Sequence, residues 1–164
     1  MLETKNRLIR CSDIKITKLT ETAKLPTRGS EYAAGWDLYA DNYEGCKGQK
    51  DWTLIIPPNT TVKIGTGIAI ALPSYTFGGI YPRSGLATKC GLAPANKVGV
   101  IDADYRGELI VALHNHSTFP QSINQGDRIA QLIVQSYFNF DWEVVDTLDE
   151  TERGSLGFGS TGEN

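Results

Sequence analysis

At 164 residues the chain is long enough to bury a real core within one domain. Its 40 % hydrophobic and 21 % charged residues are ordinary for a soluble globular protein. A formal charge of −3 and a pI near 5.4 exclude a general nucleic-acid coat, so no stable nucleic-acid binding is expected. A polyanionic small ligand stays open, because a few local arginines can outweigh a small negative total.

Met1–Arg10 is polar without an apolar signal core, and no run approaches membrane-spanning length, so no membrane association is expected. Ile14–Leu19 alternates apolar and polar residues and predicts a half-buried strand. Asp41–Asp51 is polar with two glycines and reads as a surface loop. Thr53–Ile56, stopped by Pro57-Pro58, is the next strand, followed by Thr61–Ile64, Ile68–Leu72 and Thr76–Tyr81, each bounded by Gly or Pro. Ser84–Cys90 is the only helical segment, with Gly91 placed as its stop. Glu108–His114 alternates again, and Arg128–Phe138 is a long, largely apolar strand. Many short strands at this spacing imply a sandwich or barrel. Residues 1–152 read as one β domain and 153–164 as a flexible glycine-rich tail.

Cys11, Cys46 and Cys90 lack metal-like spacing, and His114 and His116 are the only histidines, so a zinc site is not expected. Three reduced thiols suit a cytosolic or nuclear protein.

Four segments carry candidate chemistry. Gly157–Gly162 matches the G-x-G-x-x-G dinucleotide pattern, but no helix follows, which removes that reading. Glycine amides beside Arg153, Ser160 and Thr161 still make an anion wrapper, and Phe158 offers a stacking face. Asp102-Ala103-Asp104 opens like a calcium loop, yet Arg106 and Leu113 occupy ligand positions and rule that out. Two readings fit: the aspartates cap a turn, or one protrudes as a general base or metal partner. Arg83 and Ser84 at the helix start suit a phosphate, or else form a plain Ser N-cap with a solvated arginine. Gln131 in an apolar run must satisfy its amide structurally or on a ligand.

Together and in this order, the motifs Ala33–Ala40, Pro82–Ala87, Gly99–Gly107, Gly126–Gln131 and Arg153–Gly162 closely resemble the trimeric dUTPase family. The resemblance implies an all-β, jelly-roll-like distorted barrel with one short helix, assembled as a homotrimer with active sites shared between subunits. It implies hydrolysis of dUTP to dUMP and pyrophosphate, which limits uracil in DNA and supplies dUMP for thymidylate synthesis. Asp102 would be the general base for water attack on the α-phosphorus. Mg2+ would ride on triphosphate oxygens and waters, with Asp37 touching it through water. Arg83, Ser84, Gly85, Gln131, Arg153, Gly159, Ser160 and Thr161 would hold the phosphates. Asn96, Gly99 and Ile101, in a hairpin, would read the uracil edge, Tyr105 would lie under the sugar, and Phe158 would stack on the base.

Trp36, the long Asp41–Asp51 loop and Leu156 depart from the usual family pattern without touching these groups. The dCTP deaminases resemble the family in fold but use a glutamate near the base. This chain has none in the segment before Glu108.

Overall fold

The structure is a computed structural model describing residues 13–46, 49–155 and 157. Among these residues there are twelve short strands and a single helix: β1 Lys15–Lys18, β2 Trp36–Tyr39, β3 Asn42–Tyr43, β4 Thr53–Ile56, β5 Thr61–Gly65, β6 Ile68–Ala71, β7 Thr76–Tyr81, α1 Ser84–Cys90, β8 Leu92–Pro94, β9 Gly99–Ile101, β10 Ile110–Asn115, β11 Gln121–Asn124 and β12 Arg128–Ser136. Two four-stranded sheets, β3-β5-β10-β8 and β2-β12-β7-β9, form the main layers, and the pairs β1-β6 and β11-β4 complete the jelly-roll-like barrel. No described helix is long and apolar enough to cross a membrane.

Alternation places the core. In β10, Val111, Leu113 and Asn115 turn inward while Ile110, Ala112 and His114 do not. Leu38, Ile56, Ile64, Leu113, Ile129 and Ala130 are wholly buried. Asn115 is buried too, and every bond it can make is made. Its amide donates to the Ile56 and Phe119 carbonyls at 2.9 and 2.8 Å. Its oxygen accepts from the Ser117 amide and hydroxyl at 2.9 and 2.8 Å.

Strand β12 holds the irregularity that matters for the site. Arg128 pairs with Tyr39 and Ala130 with Leu38, so Ile129 is an inserted bulge residue. Simple alternation would turn Ile129 inward and Ala130 outward. The bulge turns both inward, and Arg128 and Gln131 thereby come to the same outer face.

Several expectations need correction. Strand β1 forms on the edge of β6, but all four residues are exposed, since no described layer covers them. The polar stretch after residue 40 is not wholly a surface loop. Asp41 and Cys46 are buried, Asn42–Tyr43 adds a strand to β5, and the Trp52 indole N–H donates to the Asp41 carbonyl at 3.0 Å. The Asn96–Ile101 segment is not a hairpin. Strand β8 pairs with β10 and β9 with β7, so the turn between them steps from one sheet to the other.

Replacing Asn115 by Ala would remove four hydrogen bonds from a buried side chain, although the Ser117 hydroxyl and the Phe119 carbonyl keep their bond to each other. A loss of about 3 kcal/mol of unfolding free energy is expected, measurable as a lowered midpoint in urea.

Candidate active site

Helix α1 begins at Ser84, with Arg83 as its N-cap in extended conformation and no side-chain cap. The Ser N-cap reading therefore fails. The first helical bond runs from the Ala87 amide to the Arg83 carbonyl, which leaves the amides of Ser84, Gly85 and Leu86 outside the helical ladder. Gly91 stops the helix in the left-handed conformation at φ 66°.

Arg83 is not a solvated side chain. Its Nε donates to Asp37 Oδ1 at 2.8 Å, and Arg128 donates to Asp37 Oδ2 at 3.1 Å. Asp37 thus lies between two guanidinium groups, one on each carboxylate oxygen. Gln131 sits directly opposite Asp37 in the sheet, and its amide donates to the Pro82 carbonyl at 2.9 Å. Its Oε1 lies over Gly35, where an added Cβ would overlap it. These groups line an open cleft of about 570 Å³ that also includes Ser84, Gly85 and Lys89. Two arginines and a lysine against one carboxylate give it positive character, despite the chain's net charge.

A second hollow, of about 170 Å³, is lined by Val100, Ile101, Asp102, Tyr105, Glu108 and Ile110 and shares no residue with the first. Asp102 opens a turn closed by the Tyr105 amide on the Asp102 carbonyl at 3.1 Å. Arg106 braces it by donating to the carbonyls of Ala103 and Tyr105 at 2.7 and 2.8 Å. Main chain and Arg106, not the aspartate side chains, hold this turn, which removes the capping reading. Asp102 is exposed. The Tyr105 hydroxyl donates to the Glu108 carbonyl at 3.1 Å.

Ile101 pairs with Gly78, whereas Arg83 lies five residues further along. The hollows therefore lie toward opposite ends of β7 within one chain.

A family model described as dUTPase matches residues 21–162. The deoxyuridine 5'-triphosphate nucleotidohydrolase of Candida albicans is 42 % identical over 162 residues, covering 98 % of this chain and 94 % of that one. The chain belongs to the dUTPase family. Solved dUTPases have the same fold. A mutant dUTPase of Staphylococcus bacteriophage 80alpha with dUpNHpp aligns at a TM-score of 0.80 with 23 % identity, covering 92 % of this chain and 99 % of that one. A mutant dUTPase of phage phi11 of S. aureus, described with a structural Mg(II) ion, aligns at 0.73 with 22 % identity, covering 85 % and 100 %.

Measured against the dUTPase motifs, the structure brings Asp37, Arg83, Ser84, Gly85 and Gln131 together in one cleft. It places Ile101, Asp102 and Tyr105 together in the other hollow. Gly99 is buried on β9, while Asn96 is exposed in the preceding turn, with its Nδ2 3.0 Å from where a Gly99 Cβ would stand. Arg153 is exposed in the C-terminal segment. Phe158, Gly159, Ser160 and Thr161, like Leu156, lie outside the described residues. His114 and His116 lie ring to ring with centroids 4.3 Å apart, and no group of three or more metal-ligating side chains gathers among the described residues. The sequence reading missed Arg128 and Lys89 as cleft residues. The adjacent apolar pair Ile129-Ala130 between Arg128 and Gln131 is the available signal, since it breaks strict alternation.

Arg128→Gln removes one of the two guanidinium groups on Asp37 and a positive charge from the cleft. Isothermal titration with inorganic tripolyphosphate is expected to show roughly fivefold to tenfold weaker binding, most pronounced at low salt. Folding stability should fall by no more than about 1 kcal/mol, because the Arg128 side chain is half exposed.

Proposed function

We propose that this protein is a dUTP diphosphatase that hydrolyses dUTP to dUMP and pyrophosphate, keeping uracil out of DNA and feeding thymidylate synthesis. The observation that carries the proposal is a cationic cleft of about 570 Å³ around Asp37, in a chain that matches the dUTPase family over residues 21–162.

Arg83, Gln131 and the helix-start amides of Ser84 and Gly85 take the phosphate chain. Asp37 fixes the guanidinium of Arg83 before substrate arrives, so less side-chain freedom is lost on binding. On the other surface, Asp102 accepts the proton of a water whose oxygen attacks the α-phosphorus, and pyrophosphate departs. No described side chain occupies its carboxylate, and the turn that carries it is braced by Arg106. Ile101, Gly99 and Asn96 read the uracil edge, and Tyr105 supports the deoxyribose where a 2′-hydroxyl would collide.

Because the two hollows lie apart in one chain, a complete site needs the cleft of one subunit against the Asp102 hollow of another. A homotrimer with shared sites meets that need. Exposed apolar side chains support it: Val100 at 61 % and Ile110 at 47 % beside the hollow, and Phe138, Trp142, Val144 and Leu148 at 84 % or more on the arm after β12. Residues 153–162 then close over the nucleotide as a lid, with Arg153, Gly159, Ser160 and Thr161 on phosphates and Phe158 on the base. The free thiols of Cys46 and Cys90 fit a reducing compartment, cytosolic or nuclear.

The residues present fit Mg2+ carried by the substrate and not by a protein cage. Among the described residues Asp37 is the sole carboxylate lining the cleft, and its oxygens are engaged by Arg83 and Arg128, which suits contact through water. Bound there, the ion would neutralise charge on the phosphate oxygens.

Pyrophosphate release assayed with dUTP, dTTP, dCTP and UTP in the presence of magnesium is expected to favour dUTP strongly, and comparable turnover of all four would sink the reading. Asp102→Asn is expected to bind nucleotide normally while turnover drops by about three orders of magnitude or more; near-normal turnover would remove Asp102 as the base. Truncation after Glu152 should leave the assembly folded with activity reduced at least tenfold or so, whereas unfolding would make the segment structural.

A further inference from the structure

A part-buried polar network around the buried Asp41 is not used by the mechanism above. Thr20 donates to Asp41 Oδ2 at 2.7 Å, and Asn42 Nδ2 bridges Asp41 Oδ2 at 3.2 Å and Glu108 Oε1 at 2.8 Å. The same Glu108 oxygen accepts the Gly67 amide at 2.7 Å. Asp41 is 3 % exposed, and its Oδ1 is buried with no partner. A buried carboxylate such as Asp41 is costly unless its network fixes something. Gly65 makes room for it: a Cβ there would overlap Glu108 Oε1 and stand 2.6 and 2.8 Å from the Asn42 side-chain oxygen and nitrogen.

What the network fixes is the main chain of Glu108, and the Glu108 carbonyl is the acceptor of the Tyr105 hydroxyl. The Tyr105 ring folds back over Gly107, where a Cβ would overlap the hydroxyl oxygen and lie 2.6 Å from Cζ. At 42 % exposure the ring has little packing to hold it. It is therefore fixed at two points, its own Cβ and the hydroxyl contact on Glu108.

We propose that Glu108 and Asn42 are positioning residues that set the attitude of the Tyr105 ring and thereby the selection of deoxyribose over ribose. The inference rests on the reading of Tyr105 as the support of the sugar. Glu108 acts through its side-chain clamp on the Gly67 amide and Asn42. Both hydrogen bonds end on the single oxygen Oε1, so a glutamine can accept the same pair. An alanine cannot. The competing possibility is that Leu109, whose amide donates to Ile68 and whose carbonyl accepts from Thr66, holds the Glu108 carbonyl unaided.

The test is kcat/KM for dUTP and for UTP, on the assembled full-length enzyme with magnesium, for wild type, Glu108→Ala, Glu108→Gln, Asn42→Ala and Tyr105→Phe. Glu108→Ala, Asn42→Ala and Tyr105→Phe are expected to lower the dUTP-to-UTP ratio roughly tenfold, while Glu108→Gln stays within about twofold of wild type. A merely structural role would depress both nucleotides in parallel and leave the ratio alone. Folded alanine variants with an unchanged ratio would overturn the proposal and assign the clamp to Leu109. If Glu108→Ala does not fold, Asn42→Ala decides by the same criterion. A wild type that does not discriminate between dUTP and UTP would instead overturn the reading of Tyr105, which separates the two failures.

Discussion

The site depends on one inserted residue. Ile129, the bulge in the pairing of β12 with β2, lets two neighbouring side chains enter the core and rotates the strand before and after it. Without it, Arg128 and Gln131 would point to opposite faces. With it they stand on either side of Asp37, and Asp37 in turn orients Arg83 at the start of α1. The bulge residue Ile129 and its neighbour Ala130 are both wholly buried. A packing irregularity and an electrostatic arrangement are here the same event.

The two hollows differ in how they are stabilised. The cleft side is built from opposed charges at the surface, where water and salt moderate each interaction. The Asp102 side is built on a turn braced by Arg106, next to the part-buried Asp41–Asn42–Glu108 network. The first can adjust to an anion of changing charge. The second is held by main-chain and Arg106 hydrogen bonds that do not depend on opposed charges.

Much of this was legible in the sequence, and for physical reasons. Strands β4 and β7 and helix α1 begin and end where predicted, because Pro57, Pro82 and Gly91 punctuate them strongly. Strand β11 was not foreseen: Gln121-Ser122-Ile123-Asn124 is polar, and only Ile123 enters the core. Asp41 and Asn42 read as loop residues because burial of such groups is visible only once their distant partners, Thr20 and Glu108, are in place. The Asn96–Ile101 corner looked like a hairpin because sequence spacing does not say which neighbour a strand pairs with. Arg83 and Gln131 were found from motif context, whereas Arg128 needed the bulge to be seen beside them.

Gly35, Gly65 and Gly107 share a property that differs from the usual role of glycine in turns. None has a positive φ, so the backbone at each would accept any residue. Each is instead a seat for a side chain from elsewhere: Gln131 over Gly35, Glu108 and Asn42 over Gly65, Tyr105 over Gly107. The atoms that sit there are mostly the far ends of side chains, which can swing away when a methyl group arrives. Variation at these positions would leave the barrel standing and unseat the residue it holds, so the chain carries places where evolution can alter chemistry without touching the fold.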